Sequence, residues 1–250
     1  MVKRKTYRLR KGDVIDVEEF HDGNYGSPGS RRTEKKKATP EQVAKVNRAN
    51  KFRRCRHRLL EYFNPGDVFV TLTYEVSRRP ENMKKAVADF GAFRRVVARE
   101  YKKRGRPLFW IRNIEAGTRG AWHIHLVINN IGDTLQVIQQ AWKHGGMYAE
   151  QIRTSDRLYD KDFTKLAAYM TKDENVTEKK KDGSKQKPRI KEANYSTSRN
   201  MPLPEPKVDK INRWKKEVRP KKGYYVSAIY EGTNPVTGFL YRRYTMVRLQ

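Results

Sequence analysis

Hydrophobic and polar positions along the chain change period in a definite order. Val68–Tyr74 reads as a strand, residues from about Glu81 to Lys103 as a long amphipathic helix, and Leu108–Glu115 as a second strand. After a tight turn at Gly117–Gly120 come a strand at Ala121–Asn129, a helix from about Asp133 to Lys143 and a strand at Met147–Arg153. Two β-α-β units joined by a hairpin spell the split β-α-β-β-α-β arrangement. The expected fold class is therefore α+β, an antiparallel sheet with both helices on one face and the other face left for a ligand. A further helix is predicted at about Asp162–Glu174, where Phe163, Leu166, Ala167 and Met170 make one apolar stripe.

The flanks read differently. Residues 1–40 are polar and basic, with a Gly/Ser/Pro cluster at Asp22–Ser30 and a basic run at Arg31–Lys37, and are expected to form a flexible arm. Thr39 as N-cap and Pro40 at the first helical position open a basic helix over 41–64, which the Asn64-Pro65-Gly66-Asp67 turn ends. The central domain is expected over 65–200. The segment 201–250 is read as a short basic helix around Val208–Glu217 followed by a Tyr-rich hairpin, Tyr224–Tyr230 with Phe239–Leu249. The hydrophilic stretch Val176–Lys191 is expected to be a loop.

Charge narrows the partners. The 56 Lys and Arg exceed the 28 Asp and Glu by 28, so a polyanion is the natural ligand, because neutralising phosphates releases condensed counterions. No apolar run is long enough to span a bilayer and no signal peptide is evident, so the reading is no membrane and a cytoplasmic location. The single cysteine, Cys55, excludes an internal disulfide and a Cys-based zinc site. A metal here would need His and carboxylate ligands. No Gly-x4-Gly-Lys-Ser/Thr phosphate loop occurs, so no ATP-driven helicase is recognisable.

The sharpest chemical signal is Trp122-His123-Ile124-His125-Leu126. Strand alternation puts His123 and His125 on one face and Trp122, Ile124, Leu126 and Ile128 on the other. Glu115, across the Gly117–Gly120 turn, comes opposite or diagonal to His123. A His-His-carboxylate set with open coordination positions results, suited to polarising a phosphoryl oxygen. The second signal is Tyr169-Met170-Thr171-Lys172, in which Tyr169 and Lys172 lie on the polar side of their helix. A phenol attacking a phosphodiester needs an activated phosphate and charge stabilisation, and Lys172 supplies an ammonium one turn away.

Phe69-Val70-Thr71-Leu72-Thr73, then Trp122-His123-Ile124-His125-Leu126, then Tyr169-Met170-Thr171-Lys172 resemble the three ordered motifs of rolling-circle replication initiators of bacterial plasmids and phages, within the HUH endonuclease superfamily. The resemblance spans roughly Asp67–Asp173. It implies Mg²⁺ or Mn²⁺ held by His123, His125 and Glu115. It also implies that Tyr169 attacks single-stranded or hairpin origin DNA, leaving a 5′-phosphotyrosine and a free 3′-OH and religating later, with a host helicase and DNA polymerase as partners. Thr71, Thr73, Arg112, Lys165 and Arg199 are expected to meet DNA, and Asn194–Met201 resembles a segment that follows the nucleophile helix in some initiators. Only one tyrosine sits in the helix motif, so a two-tyrosine mechanism is not supported. A relaxase or single-tyrosine transposase shares this chemistry, though relaxases generally place the tyrosine before the histidines. A non-catalytic single-strand-binding module on the same platform is the reading from another class, and it requires aromatics on the open sheet face.

Overall fold

The computed structural model describes residues 2–21, 37–153, 160–172, 190–211, 214–234 and 239–249. The chain divides into two compact units, one made of Tyr62–Pro202 and the other of Met1–Glu61 with Leu203–Gln250.

In the central unit the expected elements are present in the expected order. They are β3 (Val68–Thr73), α2 (Met83–Lys103), β4 (Trp110–Gly117), β5 (Trp122–Ile128), α3 (Thr134–Ala141) and β6 (Met147–Gln151). α4 (Thr164–Met170) and β7 (Ile190–Thr197) follow. The sheet runs β6-β3-β5-β4-β7, and every pairing in it is antiparallel. α2 opens at Asn82, whose side chain accepts a hydrogen bond from the Lys85 amide. Its apolar side, with that of α3, covers one sheet face through Val68, Val70, Leu72, Ile114, Ile124, Leu126 and Ile128 against Phe90, Phe93, Val97 and Ile138.

α4 lies over the other face. Phe163, Leu166, Ala167 and Met170 of its stripe are all fully buried, and Tyr169 meets Phe69 edge-on at 5.6 Å between ring centres. The face expected to stay free is thus covered at its Phe69 end. It remains accessible around Thr73, Glu115 and His123, which are only partly buried.

The flanking unit overturns two expectations. Within the arm expected over 1–40, β1 (Val2–Leu9) and β2 (Val14–His21) form an antiparallel hairpin. The stretch read as a basic helix around Val208–Glu217 contains instead a strand, β8 (Lys207–Ile211), paired with β1. With the predicted C-terminal hairpin, β9 (Tyr224–Thr233) and β10 (Leu240–Arg248), these strands make a sheet in the order β8-β1-β2-β10-β9. Helix α1 (Pro40–Tyr62) opens with a capping box, in which the Gln42 amide donates to Thr39 Oγ1 at 3.2 Å and the Thr39 amide to Gln42 Oε1 at 3.0 Å. Buried carboxylates on β2 receive α1. Asp16 pairs with Arg56 at 2.5 Å and His57 at 3.0 Å, and Glu18 pairs with Arg53. The Val176–Lys191 loop lies, apart from its last two residues, outside the described residues, as do the Asp22–Ser30 cluster and most of the Arg31–Lys37 run.

Candidate active site

The site begins with a turn. Gly120 takes a φ of +77°, the Gly120 amide donates to the Gly117 carbonyl, and the Gly117 amide to Ala121. A three-residue loop with glycine in the left-handed position fixes hairpin register. The register obtained puts Glu115 directly opposite His123 and Asn113 directly opposite His125. β3 completes the grid from the other side, with Thr73 opposite His123 and Thr71 opposite His125. Cross-strand partners share a face, so Thr71, Thr73, His123, His125, Glu115 and Asn113 stand together.

Contacts within the group are close. His125 Nε2 is 3.4 Å from Glu115 Oε2, and Thr71 Oγ1 is 3.1 Å from His125 Nδ1. The His123 and His125 ring centres are 6.1 Å apart. Burial, reinforced by His125 and Arg79 and opposed by Glu115, lowers the His123 pKa, which favours the neutral imidazole a metal requires. Two imidazoles and a carboxylate on one face are a donor set that fits a divalent ion. The donors are adjacent rather than convergent, since no three His, Cys, Asp or Glu side chains among the described residues meet as a metal-holding group.

Tyr169 reaches this group from above. Its hydroxyl lies 3.3 Å from His125 Nε2 and 3.4 Å from Nδ1, so it addresses neither lone pair head-on. Lys172 Nζ sits 5.3 Å from the Tyr169 ring centre. Burial, with the charges of Glu115 and Glu150 adding to it, pushes the Tyr169 phenol up to about 12. It is therefore held protonated at neutral pH.

Asn113, which the sequence reading passed over, ties the group together. It is fully buried, and its Nδ2 donates both to Glu115 Oε1 at 3.1 Å and to the Lys172 carbonyl at 3.2 Å. The strand that carries Glu115 is thereby fastened to the end of the helix that carries Tyr169. Its signal was available, because residue 113 shares the parity of 115 on one strand. Tyr148, opposite Thr71 on β6, also belongs to this face and is 65 % exposed.

Of the residues expected to meet DNA, Thr71 and Thr73 lie on the site face, with the Thr73 hydroxyl donating to the Gly146 carbonyl at 3.1 Å. Lys165 on α4 and Arg199 after β7 are exposed. Arg112 is not placed for that role. Odd separation from Glu115 turns it to the helix-covered face, where it is 4 % exposed, donates to the Asn194 carbonyl at 2.7 Å and packs 5.0 Å from the Phe90 ring centre. Burial lowers its pKa to about 10.

No curated protein and no solved structure matches the chain. Residues 67–174 match the family of the replication-associated protein ORF2, a span that holds β3 through α4 and with them every residue of the grouped site. This part of the chain accordingly belongs to the replication-associated (Rep) protein family, the rolling-circle replication initiators.

Proposed function

We propose that the central unit nicks and rejoins single-stranded or hairpin origin DNA by transesterification through Tyr169, which starts rolling-circle replication. The observation that carries this reading is the Tyr169 hydroxyl, 3.3 Å from His125 over the face that also bears Glu115 and His123. A divalent ion, Mg²⁺ or Mn²⁺, would be held by His123, His125 and Glu115 and would supply polarisation of a non-bridging phosphoryl oxygen.

The chain's own residues do the rest. Because the phenol is protonated at neutral pH, its proton must leave as the oxygen bonds to phosphorus. The ring nitrogens of His125 are acceptors within reach. As the Tyr169 Oη–P bond forms, the bond from phosphorus to the 3′ oxygen breaks and that oxygen leaves as a 3′-OH. The phosphate remains on Tyr169, joined to the 5′ side. The Lys172 ammonium stabilises negative charge near the ring, and Asn113 keeps strand and helix in register. Attack by the 3′-OH on the phosphotyrosine reverses the step and religates the strand. Unwinding and elongation would come from a host helicase and DNA polymerase in a bacterial cytoplasm.

Incubation with labelled single strands and Mn²⁺ tests the reading. A covalent adduct that maps to Tyr169 and vanishes in Tyr169→Phe is expected. An adduct on another residue, such as Tyr195 or Tyr159 (which lies outside the described residues), would reassign the nucleophile. The absence of any adduct would favour a non-catalytic single-strand-binding module, for which the exposed Tyr148 offers a stacking surface.

A further inference from the structure

The flanking unit lies outside the matched span, yet 29 Lys and Arg face only 12 Asp and Glu across Met1–Glu61 and Leu203–Gln250. Its sheet has two unlike faces. On one, Tyr7, Asp16 and Thr245 form a cross-strand row, as do Lys5, Glu18 and Arg243, and α1 is bound to this face through Asp16 and Glu18. On the other, the rows are Arg4–Glu19–Arg242, Thr6–Val17–Tyr244 and Arg8–Ile15–Met246.

These three rows form the floor of a cavity of about 700 Å³, walled by residues between Lys215 and Lys221. The floor is apolar at its centre, with Ile15, Val17 and Met246. Basic residues surround it: Arg4, Arg8, Lys215, Lys216, Arg219 and Lys221. Of the two lining carboxylates, Glu19 is already held by Arg4 and Arg242, each at 2.6 Å, which leaves Glu217 against the remaining cations. Arg4 and Arg8 are four residues apart on one strand, roughly 13 Å. A small anion would need converging donors, whereas a row of this length spans about four phosphate charges of a DNA strand.

We infer that this basic cavity of the flanking sheet is a second DNA-binding site, which holds the sugar-phosphate backbone independently of the cleavage face. The identification of DNA as the polyanion rests on the replication function of the central unit.

The test uses the full chain and two triple variants of equal charge change. Lys215→Glu/Arg219→Glu/Lys221→Glu strikes the cavity wall, and Lys45→Glu/Arg48→Glu/Arg54→Glu strikes exposed positions of α1. Affinity for a labelled duplex, for its single strand and for poly-glutamate is measured against salt concentration. The cavity variant is expected to lose roughly tenfold or more in DNA affinity and about three from the slope of log K against log salt, one for each phosphate contact removed. The helix variant should lose far less. Whichever DNA form shows the larger loss identifies the backbone held there. Equal losses in both variants, or tighter binding of poly-glutamate than of DNA, would overturn the inference. Should the cavity variant melt early, the Lys215→Gln/Arg219→Gln/Lys221→Gln chain reads the same slope. Adduct formation on a short single strand, run in parallel, separates the two readings. Failure of the wild type to form it refutes nicking alone, while salt slopes unaffected by the cavity variant refute this site alone.

Discussion

Replacing Asn113 by alanine should damage the site through its neighbours. The change removes a hydrogen bond to the Glu115 carboxylate and one to the Lys172 carbonyl in a fully buried position. A hydrogen bond to a charged group contributes about 1.5–3 kcal/mol and a neutral one about 0.5–1.5, so a loss of roughly 2–4 kcal/mol is expected. At about 2–4 °C per kcal/mol for a chain of this size, the midpoint of thermal unfolding should fall by roughly 4–16 °C. The same contacts orient Glu115 as a candidate ligand, and outer contacts of this kind are worth about 10–100-fold in metal affinity. Mn²⁺ titrations of cleavage rate, taken well below the new melting point, should therefore shift to higher concentration by that factor. Asn113→Asp keeps the shape but replaces the donor with a second carboxylate beside Glu115, and should shift the titration at least as far. A lowered melting point with an unshifted Mn²⁺ titration in both variants would refute the argument and leave Asn113 a packing residue.

Cleavage should stop in EDTA and return with Mg²⁺ or Mn²⁺, and His123→Ala and His125→Ala should each lose well over tenfold; full activity in chelator would remove the metal from the mechanism. Gly145→Ala should destabilise the central unit by about 1–3 kcal/mol, because a Cβ there would collide with the Thr73 carbonyl oxygen and stand 2.7 Å from the Glu75 nitrogen; an unchanged denaturation midpoint would contradict that packing. In the flanking unit burial alone would raise the Asp16 pKa, but Arg56, His57 and Thr245 more than offset it and hold the carboxyl at about 2. A depressed folded-state pKa means stability that is present above the ordinary carboxylate range and lost as pH falls from about 4 through 2, a contribution of about 2 kcal/mol. Asp16→Asn should remove that dependence and cost about 3–5 kcal/mol at neutral pH by stranding buried Arg56; acid-unfolding curves of the two proteins that run parallel would refute it.

Legibility in the sequence followed the chemistry of each interior. The central unit buries apolar residues with clean periods of two or three to four, so its strands, helices and hairpin register could be read directly. In the flanking unit β2 turns Asp16 and Glu18 toward α1 and Glu19 toward Arg242, so its buried positions look like those of a solvated arm. Lys207–Ile211 is too short and polar to show a period, and only its partner β1 makes it a strand. At the site, Glu115, His123, His125 and Tyr169 were readable from spacing. Arg112 was misjudged because its charge outweighed its parity, and Asn113 was missed because a neutral amide draws no attention.

The central unit is continuous in the chain, whereas the flanking sheet is assembled from both sides of it, with β10 paired between β2 and β9. A ribosome therefore delivers every strand of the cleavage platform before the pairing partners of β2 from the later segment exist. The cleavage unit can fold while synthesis continues, and the flanking sheet must wait for the final strand. Premature termination ahead of Leu240 would leave that platform intact and β2 without its neighbour. The expected product is a chain that keeps its cutting chemistry, loses the basic cavity and exposes an unpaired strand edge prone to association.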